Sequence, residues 1–409
     1  MMKRKIYCSL DIGNSKLTAV LAKSDKQRIN ILGNEILPVR GLSRGVVKDL
    51  ASLADCVQQI LGKLSKKTGI KIKRVLVSVN GEYINARLSF AAFALSERAN
   101  RHISSSDIAY LRRQARLLGA HIDEALLHEF PQDYILDGSH STFNPLGLLA
   151  RKVQLNSFLL SAPHALLGNV KTAVLQAGYD VEDMIYSGVA CSFSVLSERE
   201  KIEGVLLIDL GACFTSLLFF KDNILRDFKL ISFGGNDITD DISKGLGLSW
   251  ELAEEIKKSS LILSAAESSN SDTVVIKRLG SYKTLERKAI YESAKIRIGE
   301  FLDKIKSAID SSPWRDKIGC GIVGVGGTAN IEGILEKIEA HTGLHIKLGY
   351  VNNTPLISEI VGPQYAAALG LVKHASSNKS LPILKRYFTG KTTPEKVTNF
   401  LRHLYHEYF

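Results

Sequence analysis

The sequence predicts an α/β protein built from two similar halves. Residues 6–21 and 205–220 share one pattern: an apolar strand that ends in Asp, one apolar residue, Gly, and a return strand. Apolar runs joined by a short Gly-containing loop are typical of β-hairpins. A third segment, 321–330, combines a short apolar strand with the pair Gly326-Gly327 and leads into a helical apolar spacing. Together, these three segments favour an α/β fold with an internal duplication.

The composition is that of a folded protein with more than one domain. The chain has 409 residues, of which 45% are hydrophobic and 23% charged, which excludes disorder and low complexity. At roughly 100–200 residues per domain, this length predicts two to four domains. The five cysteines form no C-x-x-C pair, so we expect reduced thiols in a reducing compartment.

No targeting or membrane-spanning segment is predicted. The apolar run behind the basic residues 1–5 is interrupted at Asp11, which is too early for a signal peptide. The longest apolar stretch, 205–220, is shorter than the ~20 residues of a spanning helix. We therefore expect a cytoplasmic protein. The net charge of +11 raises nucleic acid as a partner, but no basic patch interleaved with aromatic residues supports it.

The chemistry of the two hairpins suits a magnesium–phosphate ligand. Mg²⁺ prefers hard oxygen ligands, which Asp11 and Asp209 offer at the ends of the two strands. Glycine in each loop lets backbone N–H groups approach a phosphate, and Ser15 and Lys16 add a hydroxyl and a cation. Either hairpin alone is weak support, and the Gly326-Gly327 turn alone is more simply a β-to-α connection. Their combination favours a nucleotide.

In this order and spacing, the three segments resemble the actin-like ATPase fold, which includes actin and the sugar kinases. The hairpins correspond to its two phosphate loops and Gly326-Gly327 to its adenosine loop. Further segments narrow the resemblance to the bacterial cell-division family FtsA; these segments are 40–49, 129–137, 144–147, 188–196, 234–242, 253–257 and 368–371. The resemblance extends from about residue 5 to the C-terminus.

The resemblance implies a two-lobed actin-like fold with an FtsA-type insertion and a C-terminal amphipathic helix. Its parts would be subdomain 1A (1–82, 162–196 and 363–378), the insertion 1C (83–161), 2A (197–233 and 312–362), 2B (234–311), a linker (379–393) and a membrane-targeting helix (394–409). Local signals agree, since Ser104 and Ser249 each precede a helical pattern as N-caps. The Ser-rich stretch 264–272 is expected to be a surface excursion of 2B.

The same resemblance implies ATP and Mg²⁺ as cofactors and assigns the residues that bind them. The nucleotide-binding residues would be Asp11, Gly13, Asn14, Ser15, Lys16, Asp209, Gly211, Gly234, Gly235, Asn236, Glu254, Lys257, Gly326, Gly327 and Thr328. Asp11 and Asp209 would hold Mg²⁺ through water. Glu254 and Lys257, one helical turn apart, would reach the ribose. From the pattern alone, this pair is more simply a solvated surface pair.

The second hairpin departs from the family pattern. Where the family has consecutive glycines followed by Thr, this chain has Ala212, Cys213 and Phe214. Side chains at these positions limit the approach of backbone to phosphate, and an aromatic ring offers nothing to a γ-phosphate. We therefore expect ATP binding with slow or absent hydrolysis, and no catalytic base is identified.

The C-terminal segment has the pattern of an amphipathic helix. After Thr393-Pro394, which is typical of a helix start, the apolar positions follow helical spacing, and Arg402 flanks them. The residues expected to contact a membrane are Val397, Phe400, Leu401, Arg402, Leu404, Tyr405 and Tyr408. The segment 379–409 has six basic and two acidic residues, which suits an anionic lipid surface. A helix docked on its own domain is the alternative.

As implied by the resemblance, the protein would bind the C-terminal tail of FtsZ through 2B, with Lys288 and Arg297 as candidate contacts. It would also polymerise with itself, recruit later division proteins, and lie on the inner face of the cytoplasmic membrane at the division site. The alternatives are a pilus-assembly actin homologue, an actin-fold small-molecule kinase and a chaperone. The terminal helical pattern, the residues Ala212–Phe214 and the lack of a peptide-binding domain after residue 380 argue against these in turn.

Overall fold

The computed structural model describes residues 5–25, 28–96, 99–263, 273–278, 281–351 and 362–377. The strands in these ranges are β1 (Lys5–Ile12), β2 (Lys16–Asp25), β3 (Arg28–Pro38), β4 (Leu42–Ser43), β5 (Val46–Val47), β6 (Arg74–Val79), β7 (Asn85–Ala94), β8 (Arg101–His102), β9 (Glu124–Leu136), β10 (His140–Thr142), β11 (Leu149–Ala150), β12 (Lys152–Pro163), β13 (Asp180–Tyr186), β14 (Val205–Leu210), β15 (Thr215–Lys221), β16 (Ile224–Ile231), β17 (Thr273–Arg278), β18 (Ser281–Glu286), β19 (Ile322–Val325) and β20 (Ile346–Leu348). The helices are α1 (Leu50–Thr68), α2 (Ser105–Gly119), α3 (His164–Gln176), α4 (Ser187–Val195), α5 (Glu198–Glu203), α6 (Gly235–Leu246), α7 (Trp250–Ser260), α8 (Arg287–Asp310), α9 (Ile334–Thr342) and α10 (Ala366–Ser376). The predicted surface excursion 264–272 and the predicted amphipathic helix lie outside the described residues.

Two five-stranded sheets with the same topology form the centres of the two lobes. The first has the order β3-β2-β1-β6-β13 and the second the order β16-β15-β14-β19-β20. In both, an antiparallel hairpin is followed by two parallel strands. The register matches as well, since Asp11 pairs with Thr18 and Asp209 with Ser216. The duplicated pattern in the sequence is therefore a duplicated sheet.

The burial of the strands explains their apolar sequences. All six residues of β14 are buried, because this strand is central and covered on both faces. β1 has the same central place, and the largely buried Asp11 stands one residue before its end. Each polar strand end is thus placed at the edge of an otherwise apolar layer.

A smaller antiparallel sheet is inserted between β6 and α3. Its order is β10-β9-β12-β7, and α2 packs on one face. The predicted N-cap at Ser104 is confirmed, because its hydroxyl accepts from the Asp107 N–H and the Asp107 carboxylate accepts from the Ser104 N–H. Leu111 and Ala115 of this helix are buried against the sheet in a core of their own.

The predicted N-cap at Ser249 is also confirmed, since its hydroxyl accepts from the Leu252 N–H at the start of α7. Helices α6, α7 and α8 pack together near the hairpin β17–β18. Within this group, the Arg297 guanidinium donates to both oxygens of Asp241 and also pairs with Glu300. The charge of Arg297 is therefore already balanced, whereas Lys288 is exposed.

Helices α4 and α10 lie against each other at the base of the two lobes. Gly370 allows this contact, because a Cβ atom there would lie 1.7 Å from the Ala190 carbonyl oxygen. The hydrophobic cluster around these helices contains residues of both sheets, such as Val77 and Leu207. The two lobes therefore share a core at this base.

Candidate functional site

The first hairpin places a carboxylate at the end of β1. The Gly13 N–H donates to the Lys16 carbonyl at 3.1 Å, and a Cβ at Gly13 would lie 2.9 Å from that oxygen. Asn14 accepts the Gly45 N–H at 2.6 Å, which ties the loop to the turn before β5. The Asp11 carboxylate accepts a hydrogen bond from Ser78, at the end of the neighbouring strand β6.

The second hairpin repeats this geometry. The Gly211 N–H donates to the Phe214 carbonyl at 2.9 Å, and a Cβ at Gly211 would lie 2.7 Å from that oxygen. Phe214 thus occupies the position that Lys16 has in the first hairpin. Its ring is buried, with 1% exposed, so the second loop offers no cation at this point.

The surroundings of both hairpin carboxyl groups favour the protonated form. Burial raises the pKa of Asp11, although Ser78 and Lys16 oppose this. Burial, with the negative charge of Asp11 added, raises the pKa of Asp209 to about 7. Burial also lowers the pKa of Lys16. Two buried carboxylates that destabilise each other's charge are an arrangement that a bound cation would stabilise.

Residues 234–236 begin helix α6 against the second hairpin. The Gly235 N–H donates to the Gly211 carbonyl at 3.0 Å and the Asn236 N–H to the Ala212 carbonyl at 2.8 Å. Gly234 is the N-cap, and a Cβ there would lie 2.5 Å from the Ala212 oxygen. These N–H groups therefore position the second loop, which is a role that the sequence did not indicate.

Glu254 and Lys257 are not a solvated pair, so the simpler alternative from the pattern is wrong. Lys257 is buried, with 5% exposed, and burial lowers its pKa. Its ammonium donates to the Gly235 carbonyl at 2.8 Å, to Thr239 at 2.7 Å and to Glu254 at 2.6 Å. These three bonds use all the donors of a lysine. Lys257 therefore fastens α7 to the first turn of α6.

The loop after β19 is fastened to the same hairpin. Gly326 has a φ of 92°, and a Cβ there would lie 2.4 Å from the Leu210 carbonyl oxygen and 2.7 Å from an Asp209 oxygen. The Thr328 hydroxyl donates to the Gly211 carbonyl at 2.9 Å. Only glycine suits this backbone conformation next to a carboxylate.

These elements surround one cleft of about 340 Å³ between the lobes. Every predicted nucleotide-binding residue except Gly234 lines it. Residues that the sequence analysis missed also line it; they include Asn80, Ser187, Cys191, Lys258, Asn330, Pro363, Gln364 and Ala367. Several of these stand at the carboxyl ends of β6 and β13 or near the start of α10. The sequence contained a signal for Asn80, because this Asn directly follows the strand-like run 75–79 and so stands at the carboxyl end of a strand.

Four buried polar atoms in the cleft wall have no hydrogen-bond partner among the described residues. They are Asn80 Oδ1, Ser187 Oγ, Asn236 Oδ1 and Gln364 Oε1. Buried polar atoms are almost always paired with protein groups or with ordered water, so a group of them in one cavity wall suits a polar ligand or ordered water. Within the described ranges, no cluster of three or more His, Cys, Asp or Glu side chains could hold a metal ion by itself.

The predicted membrane-contacting residues, Val397 to Tyr408, lie outside the described residues. Among the helices that the structure describes, none has the length and apolar character needed to cross a bilayer.

Solved structures with the same fold define the class of the protein. A type IV pilus biogenesis complex of PilM and PilN aligns with a TM-score of 0.65 at 17% identity, covering 92% of this chain and 99% of that chain. MreB5 of Spiroplasma citri aligns with a TM-score of 0.55 at 14% identity, covering 90% and 95%. With two duplicated sheets around a polar cleft, the chain has the actin-like ATPase fold.

Sequence comparisons narrow this class to one family. The family model for "Cell division protein FtsA" matches residues 206–370, and the model for the "SHS2 domain inserted in FTSA" matches residues 81–160. Together they cover more than half of the 409 residues. FtsA of Pseudomonas aeruginosa is 27% identical over 92% of this chain and 90% of its own length, and FtsA of Borreliella burgdorferi 25% identical over 98% of both. The chain belongs to the FtsA family of cell-division proteins.

Proposed function

We propose that the protein binds Mg-ATP in the interlobe cleft and acts as an actin-like membrane adaptor of the division ring. The observation that supports nucleotide binding best is the group of four unpartnered polar atoms in the cleft wall. The hydroxyl and amino groups of a nucleotide could donate to the three amide oxygens, and a phosphate oxygen could accept from the Ser187 hydroxyl. MreB5 of Spiroplasma citri, which has the same fold, has been solved bound to ADP and bound to AMPPNP.

The residues of the two hairpins fit a magnesium–phosphate group. Asp11 and Asp209 would hold the water shell of Mg²⁺, and the ion would supply positive charge between them and the phosphates. Lys16 lies in the first hairpin, close enough to Asp11 to influence its pKa, and would add a second positive charge. The carboxylates that now favour a proton would then be ionised and paired.

Calorimetry with Mg-ATP tests this assignment. Asp11→Ala removes one of the two carboxylates and is expected to weaken binding at least tenfold, because it removes a charged partner of the cation. Asp55→Ala changes an exposed carboxylate on α1 and serves as the matched control. Equal affinity of the Asp11 variant and the control would show that the nucleotide does not bind in the cleft.

The proposal includes slow hydrolysis of ATP by this protein. Phe214 takes the position of a polar or glycine residue next to the phosphates, so no group there would stabilise the charge that develops in the transition state. We expect turnover well below about one per second. Faster turnover that an Asp209 substitution abolishes would contradict this expectation.

The adaptor role adds a membrane contact through the segment 394–409 and division partners elsewhere. The inserted sheet would serve later division proteins, and the region of α6 to α8 would bind the tail of FtsZ. Because Arg297 is already paired with two carboxylates, Lys288 is the better candidate for an acidic tail. A single amphipathic helix binds a membrane reversibly, and self-assembly into filaments would strengthen this binding by avidity.

Co-sedimentation with anionic liposomes in the presence of Mg-ATP tests the membrane contact. The intact chain is compared with a chain that ends at Lys391. We expect the intact chain to pellet and the shortened chain to lose most of its binding. If neither form pellets, the membrane contact is wrong and the pilus-type and kinase alternatives remain. If both forms pellet equally, another part of the chain makes the membrane contact.

A further inference from the structure

One end of the first lobe is strongly basic. From Cys56 to Gly81 the sequence contains six basic residues and no Asp or Glu. The six are Lys63, Lys66, Lys67, Lys71, Lys73 and Arg74, and all are exposed. We call this group without Lys67, but together with Lys5, the distal basic face, because the Lys67 ammonium contacts Glu35 at 3.2 Å, next to Ile36 of the cleft wall.

The topology of the first sheet gathers these residues at the end opposite the cleft. β1 and β6 are parallel, and their carboxyl ends, at Asp11 and Asn80, line the cleft. Lys5 and Arg74 begin these strands, so they stand at the far end. Helix α1 ends at Thr68, six residues before β6 begins, so Lys71 and Lys73 lie in the short connection that leads to Arg74.

The acidic residues that the structure describes at this end are fewer than the basic ones. They are Asp180, Glu182 and Asp183, in the first half of β13. Asp180 lies 3.9 Å from Arg74, and both side chains are more than 60% exposed, so this contact is weak. The face therefore retains an excess of positive charge toward solvent.

Exposed aliphatic side chains accompany the basic ones. Ile6 is 46% exposed, and it pairs with Lys23 at the start of the sheet. Leu175 is also 46% exposed, in the last turn of α3, which ends four residues before β13 begins beside Arg74. Basic residues interspersed with aliphatic ones are typical of surfaces that rest on a membrane interface.

The described chain also ends on the lobe that carries this face. Helix α10 begins near the cleft, where Gln364 and Ala367 line the wall, and it packs against α4 and against β1, β2 and β6 of the first sheet. The described residues therefore end on the first lobe, and 32 residues follow them.

We propose that the distal basic face is a docking surface for an anionic lipid bilayer. This inference deepens the proposed membrane contact and rests on it for the identity of the partner. The face adds electrostatic attraction from the folded lobe to the binding of the C-terminal segment. It also fixes which end of the molecule faces the membrane, so that the nucleotide cleft opens away from the lipid.

Vesicle binding by matched charge reversals tests the proposal. The triple variant Lys63→Glu, Lys71→Glu, Lys73→Glu changes the distal basic face. Lys66 stays, because a carboxylate in the last turn of α1 would oppose the helix dipole. The control variant Lys304→Glu, Lys306→Glu, Lys317→Glu has the same change of net charge on exposed residues of the second lobe. Thermal unfolding and Mg-ATP affinity of both variants check that the fold is intact.

With vesicles of phosphatidylserine and phosphatidylcholine, the first variant is expected to bind at least tenfold more weakly than the unaltered chain. The control is expected to remain within about twofold, because its changes lie far from the lipid. With neutral vesicles, the two variants should bind equally. An equal loss in both variants, or no loss in the first, would overturn the proposal.

The chain that ends at Lys391 separates this proposal from the proposed tether. Binding that depends on the terminal segment but not on the basic face would leave the tether and overturn the docking surface. Binding that depends on the basic face but not on the terminal segment would leave the docking surface and overturn the tether. If the basic face instead governs binding of duplex DNA while vesicle binding is unchanged, its partner is a nucleic acid and the proposal fails.

Discussion

The guanidinium carbon of Arg44, in the first lobe, lies 5.2 Å from the centre of the Phe214 ring, in the second phosphate-type hairpin of the other lobe. Arg44 stands in a turn with a φ of 47°, and its guanidinium also pairs with Glu82 of the first lobe. The aromatic side chain that distinguishes the second hairpin therefore has a cationic partner across the cleft. Such a contact contributes about 0.5–1 kcal/mol when it is partly exposed.

Removal of this contact should make the cleft easier to open. Arg44→Ala is expected to speed the release of a fluorescent ATP analogue by about two- to fivefold, since ~0.5–1 kcal/mol of interlobe contact is lost. Stopped-flow displacement measures this rate. Glu82→Gln is the comparison, because it removes the ion pair and leaves the cation over the ring. An equal effect of both variants would assign the result to the ion pair rather than to Phe214.

Cation-dependent nucleotide binding should strengthen between pH 6 and pH 8. Because burial and Asp11 raise the pKa of Asp209 to about 7, this carboxyl must lose a proton before it can pair with Mg²⁺. Its ionised fraction rises about tenfold across this range, and affinity should follow. Calorimetry at several pH values measures the dependence. Asp209→Asn should bind more weakly and show a flatter profile, while the titration of the nucleotide itself is common to both proteins. An equally steep profile in the variant would show that Asp209 is not the source of the pH dependence.

Neighbouring lysines of α7 should differ sharply in their importance for stability. Lys257→Met removes the buried ammonium that Glu254, Thr239 and the Gly235 carbonyl share, and the Thr239 hydroxyl can then donate to only one of Glu254 and Gly235. We expect a loss of about 3 kcal/mol in the free energy of unfolding. Lys258 is 67% exposed in its side chain, and it pairs with the same Glu254 at 2.9 Å. Lys258→Met is expected to cost less than about 1 kcal/mol. Urea unfolding measures both. Similar losses would show that Lys257 is not the fastening residue between α6 and α7.

Stability should fall as the pH drops from about 6.5 toward 3. Burial, reinforced by the nearby His374, lowers the pKa of His128 to about 3. Its Nε2 accepts the Tyr186 N–H at 3.0 Å, which requires the neutral ring. The unfolded chain binds a proton at this histidine below about pH 6.5 and the folded chain does not, so acid favours unfolding by about 2 kcal/mol between pH 7 and pH 5.

His128→Gln should reduce this pH dependence, since a glutamine oxygen can accept the same N–H without titrating. Part of the slope remains, because burial also lowers the pKa of His374. Denaturant unfolding at pH 7 and pH 5 gives both values. An unchanged slope in the variant would exclude His128 as its source.

The sequence predicted the parts of the cleft that are local in the chain. The hairpins at Asp11 and Asp209 and the turn at Gly326 each consist of a strand end and a few loop residues, so their patterns are contiguous. The partner of Phe214 was not predictable, because Arg44 is brought to it by the packing of two lobes. Asn80 and Gln364 were missed because they belong to other elements than the hairpins. The position of Asn80 after an apolar run was the one signal in the sequence, and in the structure the unpartnered oxygens of both residues mark them as part of the cleft.

The same limit applies to Lys257. Its spacing from Glu254 indicated a surface pair, and only the packing of α7 on α6 shows that its ammonium is buried among protein acceptors. Helical spacing defines which residues share a face, but it does not define what covers that face.

The close crossing of helices α4 and α10 is the point about which the two lobes would rotate. With Gly370 against the Ala190 carbonyl, the two helices meet near the base of the cleft, where a rotation displaces atoms least. The same small rotation produces its largest displacement at the outer ends of the lobes. A change of contacts around a ligand in the cleft would therefore be expressed mainly at the outer surfaces of the lobes.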